Sequence, residues 1–218
     1  MILLCAVIIG LIAGLVRAQV GKRKYHLLEF KKWWLVFLAV IPQLFVFSIP
    51  ATQSHFNSFW ARIILIGSQL VLLLFIWFNR HELPFLIVGA GLMLNLLVMV
   101  TNGGWMPMSP ETLLRLRPDL AGENILAGMR VGFGKDFLID PASTHLWLLS
   151  DILLLPAWFP YRVAFSIGDI LVALGVIGIL FTQGGESRIK EGRNDIQPNL
   201  KSTKSIQSRD PFHIIRNE

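Results

Sequence analysis

Leu83–Val100 reads LPFLIVGAGLMLNLLVMV: eighteen residues with no charge and a single amide side chain, Asn95. As a helix rising about 1.5 Å per residue, such a run covers roughly 27 Å, close to the ~30 Å hydrocarbon core of a bilayer. Four more runs approach it: residues 2–16, 33–49 (interrupted by Pro42 and Gln43), 61–78 (Arg62 at the edge, Gln69 inside) and 163–181 (Asp169 inside). The chain has 218 residues, 54% hydrophobic and only 16% charged, with a mean hydropathy of +0.59. A soluble average is roughly 25% charged. These values exclude a disordered chain and an ordinary soluble domain. The expected fold is all-α: a polytopic membrane protein with five transmembrane helices over residues 1–181 and a long connection at 101–162.

Lys and Arg set the expected orientation. Fourteen lie in residues 17–32, at Arg80 and beyond Phe181; six lie on the opposite side, at Arg62, Arg115, Arg117, Arg130, Lys135 and Arg162. The richer side is expected in the cytoplasm, with the N-terminus outside, the C-terminus inside and 101–162 an outer connection. The basic cluster at Arg17 and Lys22–Lys24 follows the first run instead of preceding it, opposite to a secretory signal, so that run is expected to be retained. Trp33, Trp34, Trp60 and Trp77 sit at span ends, and Trp105, Trp147 and Trp158 in the outer connection, the distribution of an interfacial aromatic belt. Residues 182–218 are polar, broken at Gly184 and Gly185, and read as a disordered basic cytoplasmic tail. Its bases are mixed with acids and carry no aromatic platform, so nucleic acid is not an expected partner. Membrane lipids are, together with another membrane protein or a second copy of this chain.

The outer connection holds the chemistry. Ser109-Pro110-Glu111 is an N-cap, a first-turn proline and an acid at the positive helix end. A helix is expected through Leu116, stopping at Pro118. Asp140-Pro141 predicts a second helix that buries Leu146, Trp147, Leu149 and Leu153 and ends before Pro156. Both are too short to span and read as interfacial. Before them, Asn102-Gly103-Gly104-Trp105 reads either as a tight turn or as a loop whose N–H groups meet a carboxylate or phosphate. Asn102, Gly103, Gly104, Trp105 and Trp147 are therefore the candidate ligand or partner contacts, with Trp105 and Trp147 expected on one continuous surface.

Asp169, read as six positions inside the last span, is the most costly polar residue. It admits a functional reading and a structural one, a hydrogen bond or an ion pair with Arg162 or Arg62. Asp151, eighteen positions earlier, is its candidate partner. Two carboxylates in close approach share a proton, and such a pair activates water and protonates a leaving group. Gln43, Gln69 and Asn95 read as interhelical hydrogen-bonding residues, and Gly10 with Gly14 as a close-packing pair. A single cysteine, Cys5, excludes an intrachain disulfide and a Cys-based zinc cluster. The five histidines show no ligand spacing. No metal or cofactor is expected.

The order Asn102-Gly-Gly-Trp-Met-Pro107, Ser109-Pro-Glu111, Trp147 to Asp151, and Phe165-Ser-Ile-Gly-Asp169 resembles an uncharacterised family of bacterial multi-pass membrane proteins. The likeness covers all five spans and omits the tail. It implies a bacterial cytoplasmic membrane location and no particular activity. A fainter likeness is to the lipoprotein signal peptidase, an aspartic intramembrane protease, whose last span opens with a Phe-Asn-x-Ala-Asp block. Phe165–Asp169 is similar to that block, with Ser166 in place of its asparagine; the Gly-Asn-x-x-Asp-Arg block expected before Asp151 is missing. The main expectation is a non-enzymatic assembly or lipid- and partner-contacting protein working at its outer face. The alternatives are an Asp151/Asp169 hydrolase and a small transporter.

Overall fold

Without water, a backbone must satisfy its own polar groups, and a helix does so within one segment. The apolar runs accordingly form α1 (Ile2–Val20), α2 (Trp34–Phe47), α3 (Ser58–Asn79), α4 (Leu83–Thr101) and, after the short α5 (Pro110–Leu116), α6 (Ile167–Gln183). The computed structural model describes residues 2–22, 25, 30–49, 52, 55–120, 127–131, 134–156, 158–159 and 162–183. The tail expected over 182–218 lies outside them from residue 184 onward. Three helices, α1, α3 and α4, are long and apolar enough to cross a membrane; α2 and α6 are apolar but shorter, at 14 and 17 residues. In the three long helices only 22–39% of the apolar window is buried against protein. The rest presents large hydrophobic side chains outward, such as Leu3, Ile12 and Trp77, a surface suited to lipid and unsuited to water.

The main helix contacts run α1 on α6, α6 on α4, α4 on α3 and α3 on α2. Small residues set the closest approach. A Cβ on Gly91 of α4 would stand 2.5 Å from the Gly168 carbonyl oxygen and 2.8 Å from the Val172 nitrogen of α6. On α1, a Cβ at Gly14 would collide with the Leu180 carbonyl, so the Gly10/Gly14 pair packs within the chain, against α6. The α1 end also supplies donors to the last carbonyls of α6: Arg17 donates to Phe181 O (3.3 Å) and the Tyr25 hydroxyl to Leu180 O (3.1 Å). Gln43 donates to Ser68 Oγ across α2 and α3, and Asn79 at the end of α3 clamps Lys31, accepting from its N–H and donating to its carbonyl, each at 2.9 Å. One apolar core (Leu35, Phe75, Ile76, Phe85, Val88, Leu92) lies towards that end of the bundle. A second (Val46, Ala61, Leu65, Val98, Met99, Trp105, Met106) lies at the other.

The described residues between 102 and 166 cap this second end. The all-α expectation holds for the bulk of the described residues and misses two small sheets here. β1 (Met106–Met108) pairs in parallel with β2 (Asp136–Leu138), Met106 opposite Asp136; β3 (Leu153–Leu154) pairs antiparallel with β4 (Ala164–Phe165). α5 forms where expected: Ser109 Oγ accepts from Thr112 N at 3.0 Å, and the helix ends at Leu116 ahead of Pro118. The second expected helix does not form. Asp140 does cap Pro141, accepting from Ala142 N at 2.8 Å, but the segment makes two single 3-10 turns, Pro141–Ser143 and Trp147–Leu149, before β3. The break falls at Leu146, which is left-handed with φ 56°, directly after His145 is captured by another element. Leu146 and Trp147 are exposed as a result. The last helix starts at Ile167, because Ala164 and Phe165 are committed to β4. Asp169 therefore sits in the first turn of α6, not six residues deep.

Candidate functional site

Three pieces of local chemistry meet at the cap. The first is the exit of α4. Gly103 (φ 72°) and Gly104 (φ 89°) turn the chain in the left-handed region that a side chain resists. Gly104 N donates back to Met99 O at 2.7 Å, closing the helix end. Asn102 reaches across to the backbone of His145: its Nδ2 donates to His145 O (2.9 Å) and its Oδ1 accepts from His145 N (3.0 Å). Arg62 of α3 donates to Gly103 O at 3.2 Å. The turn reading of this segment describes these bonds, since the Gly104 N–H is spent on Met99.

Trp105 follows and is turned inward. It is 5% exposed, stacks on Phe137 with ring centroids 6.3 Å apart and 11° between planes, and carries the Arg130 guanidinium 4.7 Å above its ring. Trp147 is about half exposed. The expectation that Trp105 and Trp147 share one outer surface is thus corrected: Phe137, brought alongside by the β1–β2 pairing, draws Trp105 into the core.

The second piece is an ion pair that sequence reading missed. Lys135 Nζ donates to Asp151 Oδ2 at 2.7 Å, with Asp136 Oδ1 at 3.8 Å. Asp151 is 1% exposed, and its N–H donates to Pro107 O at 3.2 Å, tying it to β1. Its Oδ1 is buried with no hydrogen-bond partner among the described residues. Burial pushes the Asp151 carboxyl up, Lys135 pulls it down, and Asp136 and Asp169 push it up again, leaving it at about 7. For Lys135, partial burial works against the charge, and Asp151, Asp136 and Asp169 outweigh it, so the ammonium stays protonated.

The third piece is a knot around Asp169. Ser166 and Asp169 form a reciprocal capping box: Asp169 N donates to Ser166 Oγ (3.0 Å) and Ser166 N donates to Asp169 Oδ2 (3.2 Å). Asn95 of α4 closes it. Its Nδ2 donates to Asp169 Oδ1 at 2.8 Å, and its Oδ1 accepts from Ser166 Oγ at 2.8 Å. Ser166 and Asn95 are both buried. The Asp169 carboxylate thus accepts from the Asn95 amide and the Ser166 backbone N–H, which is the hydrogen-bonded form of the structural reading; neither Arg62 nor Arg162 pairs with it among the described residues. Its charge reaches both Lys135 and Asp151, so the two acids share one electrostatic neighbourhood. No hydrogen bond joins them among the described residues.

Beside this framework lies a cleft of about 220 Å³. Its hydroxyl-bearing walls are Ser109, Thr112, Thr144 and Ser150, with Arg115 and Trp147 also lining it. Arg115 is bridged to Glu111 at 2.6 Å, both exposed. Among the described residues, no group of three or more His, Cys, Asp or Glu is placed to hold a metal ion.

Residues 27–181 match the family of unknown function DUF5317. The match covers well over half of the chain, which belongs to this family. An uncharacterized protein of Thermotoga maritima is 31% identical over 137 residues, 61% of this chain and 70% of the relative. No solved structure matches.

Proposed function

We propose that this DUF5317 member crosses the bacterial cytoplasmic membrane five times, with its N-terminus outside and its C-terminus in the cytoplasm. In this reading it serves as a non-enzymatic recognition or assembly component whose cap faces outward. The fourteen-to-six division of Lys and Arg supports that orientation. This reading takes the apolar but shorter α2 and α6 as crossings in addition to the three helices long enough to span. One observation carries the binding reading. The carboxylates singled out by chemistry are bonded into the framework, Asp151 to Lys135 and Asp169 to Asn95 and Ser166, while the cleft beside them stays open. At 220 Å³ it is smaller than the ~300–1,000 Å³ typical of small-molecule pockets. It fits one or two side chains of a protein partner, with Trp147 as the aromatic anchor at its edge. Two measurements test this. Reporter tags at both termini read the orientation. A photo-crosslinking residue at Trp147 is expected to capture a protein in intact membranes, and the same residue at Trp77, at the opposite end, is not. Equal capture at both positions refutes the cleft as the contact.

A second reading, an Asp151/Asp169 hydrolase of the lipoprotein signal peptidase type, is favoured by the spare Asp151 oxygen and by a carboxyl near 7 beside a second acid. It requires that Asp151→Asn and Asp169→Asn each abolish cleavage of a membrane-anchored peptide by the purified chain. Absence of cleavage by the unaltered protein sets the reading aside.

A further inference from the structure

A second concavity, of about 520 Å³, opens on the lipid-facing side of α3, near the exit of α4. Its apolar walls are Phe59, Ile63, Ile66, Leu70 and Val100, with Gly67 among them. Arg62, Gly103 and Gly104 also line it. We propose that this groove holds one acyl chain of a membrane phospholipid, with the lipid phosphate against the Arg62 guanidinium.

The spacing of the α3 residues, 59, 62/63, 66/67 and 70, keeps them on one helix face. The eleven residue steps from Phe59 to Leu70 cover about 16 Å, the depth of one leaflet in a ~30 Å hydrocarbon core. Gly67 leaves the groove unfilled: a Cβ built there meets no atom within 4 Å. Arg62 lies five residues beyond the Asn57 cap of α3, about 8 Å down the helix, so its side chain reaches the interface. Its position is built. The stem packs on Gly104, whose Cβ would stand 3.1 Å from Arg62 Cδ, while Nε donates to Ser58 O and Nη1 to Gly103 O, each at 3.2 Å. A guanidinium has five N–H donors, so about three remain without a protein partner among the described residues. Fixed, weakly hydrated and still rich in donors, the group matches a phosphodiester oxygen pair in charge and shape. An acyl chain alone would satisfy the walls and leave those donors unmet in a poorly hydrated layer.

The proposal rests on the membrane placement of α3 and not on the cap cleft or the orientation, because lipid retention in detergent does not depend on either. The full chain, purified in a mild detergent, is titrated with dioleoyl phosphatidylglycerol or dioleoylglycerol, identical in chains and differing in the phosphate. Bound lipid is counted by native mass spectrometry. The unaltered protein is expected to favour the phospholipid by about tenfold. Arg62→Gln removes that preference and leaves chain binding. Gly67→Leu, which fills open space and so keeps the fold, removes binding of both lipids. Should Arg62→Gln disturb the α4 exit, Arg62→Lys, which keeps a charge and a donor, retains most of the preference. The proposal is overturned if the unaltered protein shows no preference, if Arg62→Gln keeps it, or if Gly67→Leu binds both lipids as before.

Discussion

Replacing Lys135 with Met leaves the Asp151 carboxyl in place and takes away its counter-charge. Asp151 is 1% exposed, and breaking a fully buried pair by removing one member costs about 3–5 kcal/mol. The Lys135 side chain is 40% exposed, so solvent screens part of the interaction, and about 2 kcal/mol is the better expectation. That cost depends on pH in a definite sense. The folded carboxyl titrates at about 7, against an unfolded value near 3.9. Between those values the folded chain holds a proton that the unfolded chain has released, so stability falls as pH rises from about 4 to about 7 and then levels off. In Lys135→Met the downward pull on the carboxyl is gone, its folded value moves above 7, and the fall continues to higher pH. At pH 5 Asp151 is neutral with or without Lys135, and the two proteins should differ little. At pH 8 the unaltered protein carries an ion pair and the variant must hold a costly proton. Hydrogen exchange at the amides of Met106, Leu138 and Ile139, which bond across the cap, reads the opening. The variant-to-parent ratio at each pH cancels the intrinsic rate. We expect a ratio near one at pH 5 and about tenfold at pH 8, the most that holding one proton one pH unit above the parent carboxyl can cost. Adding Asp151→Asn should bring the pH 8 ratio back towards one. A ratio that stays constant across this range refutes the assignment of Lys135 as the partner of a buried, titrating Asp151.

Three further outcomes follow from the geometry. Asn95→Leu strips Asp169 and Ser166 of their shared partner at once and should cost about 2–3 kcal/mol in unfolding measured in detergent; a cost below about 0.5 kcal/mol would mean that the knot does not hold α4 to α6. Gly91→Leu places a side chain where the α6 backbone lies 2.5 Å away, and loss of the folded chain from membranes, against normal levels of Gly67→Leu, is the expected result. Asn102→Ala frees His145 from the end of α4 and should raise the rate of proteolytic cleavage between residues 139 and 150 several-fold, for a loss of about 1 kcal/mol; unchanged cleavage would show that other contacts hold that segment.

The features legible in the sequence were those whose cause is local. Ser109-Pro110-Glu111 announces a helix start because every partner of the cap lies within three residues. The apolar runs announce helices because length and composition alone decide them. Of the three amides that read as interhelical hydrogen-bonding residues, Gln43 and Asn95 are so, while the Gln69 Oε1 is buried with no hydrogen-bond partner among the described residues. The errors come from partners far along the chain. Trp105 looks like a surface tryptophan until Phe137, thirty-two residues later, is paired beside it. The helix expected from Pro141 was undone by Asn102, which holds His145 from forty-three residues away. Lys135 and Asp151 carry no spacing that marks them as a pair. For Asp169 a local signal did exist: Ser166-x-x-Asp169 is the pattern of a capping box ahead of an apolar run. Reading the span from Val163 put the helix start four residues too early and hid it.

The packing of α1 against α6 has a consequence for how the molecule is made. α1 leaves the ribosome well before α6, its main neighbour. Until some 160 further residues are synthesised, Gly10 and Gly14 have nothing to receive them, and Arg17 and Tyr25 have no carbonyls to meet. Completion of the bundle is therefore a late event: a chain interrupted before α6 would leave α1 without its main neighbour, exposed to the proteases that clear unassembled helices.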